Sequence, residues 1–198
     1  MTENKNKRDK KDLVIIDFDG TLFFNPENDF VYYTPINHVL DAYTFFSEFM
    51  FQTNEKILED FEYIIITGRS ETQEGVITHL LELKGYRIDQ SFFNQGKRAK
   101  DIDEETFMIN YWNGKIKLIN EIKLSNRYKS ITIIDDDDVL CSALEKLGYT
   151  IFKAQITKNS SNQTLEVNFS TPQTRSMTEL NSILNPHKNQ SNSIMETA

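Results

Sequence analysis

Cysteine is almost absent: Cys141 is the only one among 198 residues. With no second thiol there is no intramolecular disulfide, so the fold must be held by its own core. Cys141 falls in an apolar pattern with Val139, Leu140, Ala143, Leu144 and Leu147, which predicts a buried helix face. No histidine stands near enough in sequence to lower its pKa, so a structural thiol in a reducing cytoplasm is the expectation. Long apolar runs are also missing. None approaches the roughly 18 uninterrupted residues of a membrane-spanning helix, and the opening MTENKNKRDKKD has basic residues without the apolar stretch of a signal peptide. A cytoplasmic protein with no membrane partner is expected. Positive charge is in deficit, with 22 Lys and Arg against 30 Asp and Glu and a net charge of −8. This argues against a broad electrostatic grip on nucleic acid, which needs clustered cations. Local patches remain at Lys5 to Lys11 and at Lys97, Arg98 and Lys100, and such patches are more often solvated surface than a nucleic-acid contact. The histidines, His38, His79 and His187, are scattered without metal-ligand spacing.

What is present suits one domain of ordinary size, with 38% hydrophobic and 26% charged residues. Residues 1–11 read as a flexible basic arm, 12–157 as the folded core, and 158–198 as a polar extension, disordered from about residue 186. Three apolar runs, Leu13 to Ile16, Tyr63 to Ile66 and Ile131 to Ile134, each deliver polar residues at their C-terminal end. This pattern predicts an α/β fold, a central parallel sheet flanked by helices in Rossmann-like fashion, with its site outside the carboxyl ends of the strands. Helical spacing occupies Val39 to Phe51 with Leu58 and Phe61, then Thr72 to Lys84, Lys115 to Leu124 and Leu140 to Leu147. Gly85 and Gly148 stand where helix C-caps are expected, each followed by an aromatic residue and a strand, notably Tyr149 to Ala154. Leu22 to Tyr33 reads as a hairpin, Leu165 to Phe169 as an edge strand and Met177 to Leu184 as a short helix.

The chemistry concentrates at the strand ends. Asp17 and Asp19 lie two apart, on one side of the strand unless the chain bends at once, and Gly20 with Thr21 supplies a bend. Two close carboxylates repel, and a divalent cation with a taste for hard oxygen ligands keeps both ionised; the plainer alternative is an Asp-Gly turn closing a strand. Asp135 to Asp138 offer four more carboxylates. They suit a cation, and Asp137 or Asp138 also suits the N-cap of the following helix. Thr67-Gly68 ends the second strand and alone reads as a turn.

Asp17-Phe18-Asp19-Gly20-Thr21 resembles the first motif of the haloacid dehalogenase superfamily, and Ile64-Ile65-Ile66-Thr67-Gly68-Arg69 resembles its second. The resemblance runs from Leu13 to Ala154 with four motifs in order. It implies a Mg²⁺-dependent phosphatase in which Asp17 is the nucleophile, forming an aspartyl-phosphate. Asp19 protonates the leaving oxygen and later activates water. It further implies that Thr67 and Gly68 bind the transferring phosphoryl group. Arg69 either reaches the substrate or forms a surface ion pair with Glu71 or Glu74. A lysine before the last catalytic strand neutralises phosphoryl charge and holds the nucleophile in place; Lys115, after a helix-starting Asn113-Gly114, is the choice and Lys117 the rival. Asp136 is implied as a direct metal ligand assisted by Asp135, with Asp17 and Asp19 completing the set. Neither cap position has room for a large α/β insertion, since residues 34–61 read as helices and 86–112 hold a short irregular segment, so a small cap or none is expected. This open layout is similar to the phosphatase half of polynucleotide kinases and of RNA-repair proteins, although Asp137 stands where the kinase-linked enzymes carry arginine. The implied substrate is a nucleotide or a nucleic-acid 3′-phosphate, with Phe23, Phe24, Phe30, Tyr32 and Tyr33 available to stack a base. A phosphoprotein phosphatase and a catalytically silent binding module are the alternatives.

Overall fold

Strands apolar at every position belong in a sheet covered on both faces. The computed structural model, which describes residues 10–23, 46–47, 61–93, 102–158 and 165–170, places them there. β1 (Asp12–Ile16), β2 (Glu62–Ile66), β3 (Ile88–Phe92), β4 (Ser130–Asp135), β5 (Thr150–Lys158) and β6 (Leu165–Ser170) form one sheet in the order β3-β2-β1-β4-β5-β6. β1 to β5 are parallel, and β6 closes the edge antiparallel to β5. Side chains alternate strictly between two cores. Val14, Ile16, Tyr63 and Ile65 pack on one face with Ile77, Leu80 and Leu81 of α1 (Glu74–Leu83). Leu13, Ile15, Ile64 and Ile66 pack on the other with Ile119 and Ile122 of α2 (Glu104–Leu124) and Leu140, Cys141 and Leu144 of α3 (Asp138–Lys146).

The chain builds outward from β1 to β2 and β3, then returns to β4 on the other side of β1. The reversal of direction therefore falls between β1 and β4, the place where open parallel sheets form a crevice beyond their carboxyl ends. Register aligns those ends, with Ile16 opposite both Ile65 and Ile134. Asp17, Thr67 and Asp135 thus emerge along one edge. Gly85 (φ +93°) and Gly148 (φ +80°) end α1 and α3 in the left-handed region, as expected of C-caps.

Several expectations change. Asn113-Gly114 does not start a helix: α2 begins at Glu104, well before Lys115, capped by Asp103, whose carboxylate accepts from the Thr106 N–H at 2.8 Å. Residues 86–112 accordingly contain β3 and the first part of α2 rather than only an irregular segment. Phe61 precedes β2 and is not helical. The sheet also runs past residue 157 through the end of β5 and β6, the latter being the expected edge strand. The basic arm to residue 9, the hairpin beyond Phe23, most of 34–60, the Lys97 to Lys100 patch, the Met177 to Leu184 helix and the far tail lie outside the described residues. No helix among the described residues is long and apolar enough to cross a membrane.

Candidate active site

β1 ends at Ile16, and the chain then bends. The Asp17 N–H still donates to the Ile134 carbonyl at 2.9 Å, fixing Asp17 beside β4. Gly20 follows at φ +71°, and a tight turn closes through the Gly20 N–H to the Phe23 carbonyl at 2.8 Å. This bend separates two carboxylates that an extended strand would leave on one side. Asp17 meets α2 and the end of β4, whereas Asp19 meets the end of β2.

Lys115 is the centre of the first group. It is 2% exposed, and its Nζ donates to Asp17 Oδ1 at 2.8 Å and to Asp135 Oδ2 at 2.9 Å. The Tyr111 ring, one helical turn earlier, lies 4.8 Å from the same ammonium. Lys117 is solvated, with Glu121 at 4.0 Å. A lysine buried without partners would lose its proton. Here desolvation acts in that direction, but the charges of Asp135 and Asp17 outweigh it and hold the pKa well above the usual lysine value. Asp17 is pushed well up, first by burial and then by Asp135, Asp136 and Asp19, against the pull of Lys115. One cation thus faces more negative charge than it can neutralise.

The rest of that charge is Asp136. Its residue is solvent-exposed, yet its carboxyl is set down against the β1 turn, and partial desolvation followed by the Asp135 charge pushes its pKa up to about 7. Water on the outer side screens this effect but does not reverse it. A Cβ at position 20 would fall 2.2 Å from Asp136 Oδ2, so glycine there is what lets the acidic loop close over the turn. Asp17, Asp135 and Asp136 each present one oxygen within 4.8 Å of the others, an arrangement that could hold a metal ion. An all-oxygen anionic donor set is the chemistry of a hard divalent cation. Asp19, implied in the same ligand set, has its carboxylate outside this cluster among the described residues.

Asp19 belongs to a second group. Its carboxylate accepts from Arg69 Nε at 2.9 Å and from Nη2 at 2.5 Å, with the Thr67 hydroxyl at 3.4 Å. Arg69 is 1% exposed, so neither a surface ion pair nor direct reach into solvent describes it. Its guanidinium lies 5.8, 4.9 and 5.0 Å from the ring centres of Phe18, Phe23 and Phe46, a cation held over three aromatic faces. Burial raises the Asp19 pKa, with Arg69 pulling against it. Phe23 is thereby accounted for as core, 1% exposed and stacked on Phe18 at 5.3 Å, and not as a base-stacking platform; Phe24, Phe30, Tyr32 and Tyr33 lie outside the described residues. Thr67 is fully buried, its N–H bonded to Phe92 of β3 at 3.0 Å, and the turn through Gly68 is closed by the Arg69 N–H on the Thr67 hydroxyl at 3.2 Å.

No family model, no curated protein and no solved structure matches this chain. The site therefore stands on its own geometry.

Reading the sequence brought out Asp17, Asp19, Thr67, Arg69, Lys115, Asp135 and Asp136, and the fold gathers all of them at one edge. It missed Tyr111 and Trp112. Tyr111 is four residues before Lys115, a same-face helical spacing that could have been found had the helix been extended through Gly114. Cys141 is buried as expected, its Sγ 3.4 Å from the Asp135 carbonyl and its pKa raised by burial.

Proposed function

We propose that this protein is a phosphomonoester hydrolase of the haloacid dehalogenase type, dependent on Mg²⁺ and acting on a nucleotide or a nucleic-acid 3′-phosphate. The observation that carries the reading is Lys115, buried and bonded to both Asp17 and Asp135 at the mouth of the sheet, with Asp136 completing a group of three carboxylates that could hold a metal ion. A structural lysine has no need of that surplus of negative charge. A phosphoryl-transfer site does, because cation and lysine together face the incoming dianion.

Bound by Asp17, Asp135 and Asp136, Mg²⁺ would neutralise charge on the transferring phosphoryl group. Lys115 fixes Asp17 through Oδ1. An Asp17 oxygen attacks phosphorus, and the bond to the leaving oxygen breaks to give an aspartyl-phosphate. Asp19, its pKa raised by burial against the pull of Arg69, gives a proton to the leaving oxygen. In the second half it takes a proton from water, which attacks the same phosphorus and frees Asp17 and inorganic phosphate. Thr67 and Gly68 receive the phosphoryl oxygens. Arg69 serves by holding Asp19 in place through its paired donors.

Negative net charge favours a mononucleotide over a long polymer. The test is a panel of nucleoside monophosphates, 3′-phosphorylated oligonucleotides, phosphopeptides and p-nitrophenyl phosphate, each with Mg²⁺ and with EDTA. Mg²⁺-dependent turnover of a nucleotide or a 3′-end above that of p-nitrophenyl phosphate is expected. Preference for phosphopeptides would replace the substrate class. Absence of turnover across the panel would make the chain a binding module.

A further inference from the structure

Of Asp135 to Asp138, the proposed chemistry leaves Asp137 and Asp138 unused, and Asp137 has the most bonds of the four. One carboxylate oxygen caps α3, accepting from the N–H groups of Val139 at 2.8 Å and Leu140 at 2.9 Å. The other accepts from the Trp112 indole N–H at 2.7 Å. Its own N–H donates to Asp135 Oδ1 at 3.0 Å, while Lys115 takes Asp135 Oδ2. Trp112 and Lys115 are three residues apart on α2, so one helix face grips the acidic loop at two points. Asp136 lies between those points, its backbone bracketed on both sides.

A helix cap alone accounts for the first oxygen of Asp137 and leaves the second unexplained. We infer that Trp112 and Asp137 form a latch that sets the acidic loop for cation binding, with both acting as positioning residues for Asp135 and Asp136. Groups behind metal ligands tune affinity by fixing ligand orientation, and their loss typically weakens binding 10- to 100-fold. The inference rests on the cation-dependent reading above. It also gives that reading a built-in reporter, because Trp112 is the only tryptophan in the chain.

The test uses the full chain with Mg²⁺ alone. Isothermal calorimetry compares the unaltered protein with Trp112→Phe, which keeps an aromatic ring and removes the donor, and with Asp137→Ser, which keeps a good N-cap and removes the acceptor. Thermal unfolding in EDTA confirms that each variant folds, and either variant suffices if the other does not. Each is expected to raise the half-saturating Mg²⁺ concentration about tenfold. The double variant should be no worse than either single one, because both break the same bond. Tryptophan emission of the unaltered protein should change with Mg²⁺ along the calorimetric curve and stop responding in Asp136→Asn. Unchanged Mg²⁺ affinity in the folded single variants would overturn the latch while leaving the metal site standing. No Mg²⁺ binding by the unaltered protein would overturn both.

Discussion

Lys115 pairs with two carboxylates at once, its single charge already outnumbered, and Asp136 adds a third negative charge within reach of the other two. Lys115→Met leaves Asp17 and Asp135 buried without their cation. A loss of about 3–5 kcal/mol is expected from denaturant unfolding in EDTA at neutral pH. Gly20→Ala meets two obstacles at one position, a φ of +71° and a Cβ 2.2 Å from Asp136 Oδ2. It should fold less stably and bind Mg²⁺ more weakly, which calorimetry would show; unchanged affinity would mean that the close approach has no part in the site. The raised carboxylates also set a pH dependence. An acid whose folded pKa lies above its unfolded value gives stability at low pH that is lost as pH rises between the two. For Asp136 that window runs from 3.8 to about 7, with Asp17 and Asp19 shifted in the same direction. Thermal stability in EDTA should therefore lose ground from these groups between about pH 4 and pH 7, and saturating Mg²⁺ should remove the loss. A melting temperature indifferent to Mg²⁺ at pH 7 would contradict this.

Among the elements, α2 departs most from its sequence pattern. Asn113-Gly114 looks like a boundary because Gly is a poor helix former and Asn favours caps. The helix passes through both. Its start is set by the Asp103 cap, and packing of Trp112, Ile116 and Ile119 against the sheet outweighs a local preference of roughly 1 kcal/mol. Nothing lies within 4 Å of where a Cβ on Gly114 would stand. Gly114→Ala is thus expected to stabilise by about 0.5–1 kcal/mol, read as a rise in melting temperature. A drop would show that the glycine is needed for a reason the packing does not reveal. The strands were easier to read. β1 and β2 announce themselves as four-residue apolar runs and β4 as an isoleucine-rich one broken only by Thr132, because strands covered on both faces have no polar side to alternate with. β3, Ile-Asp-Gln-Ser-Phe, lies at the sheet edge, is only partly buried and carries no such signature.

For the whole molecule, topology turns separate motifs into a site. Sequence order alone leaves Lys115 98 residues from Asp17, with Asp135 a further 20 beyond; the return of the chain to β4 beside β1 brings them together. The strand-end residues were legible because each ends an apolar run. The resemblance had Lys115 holding the nucleophile, and Lys115 bonds Asp17; the pairing of Asp19 with Arg69 was not legible, since it depends on the bend at Gly20. The central claim is that Asp17 carries the phosphoryl group. The most direct measurement is acid-quenched mass spectrometry during turnover of a phosphorylated substrate with Mg²⁺, mapping the modified peptide. A phosphoryl adduct on Asp17, absent in EDTA and in Asp17→Asn together with turnover, is the expected result. Turnover that persists in Asp17→Asn, or an adduct on another residue, would contradict the account.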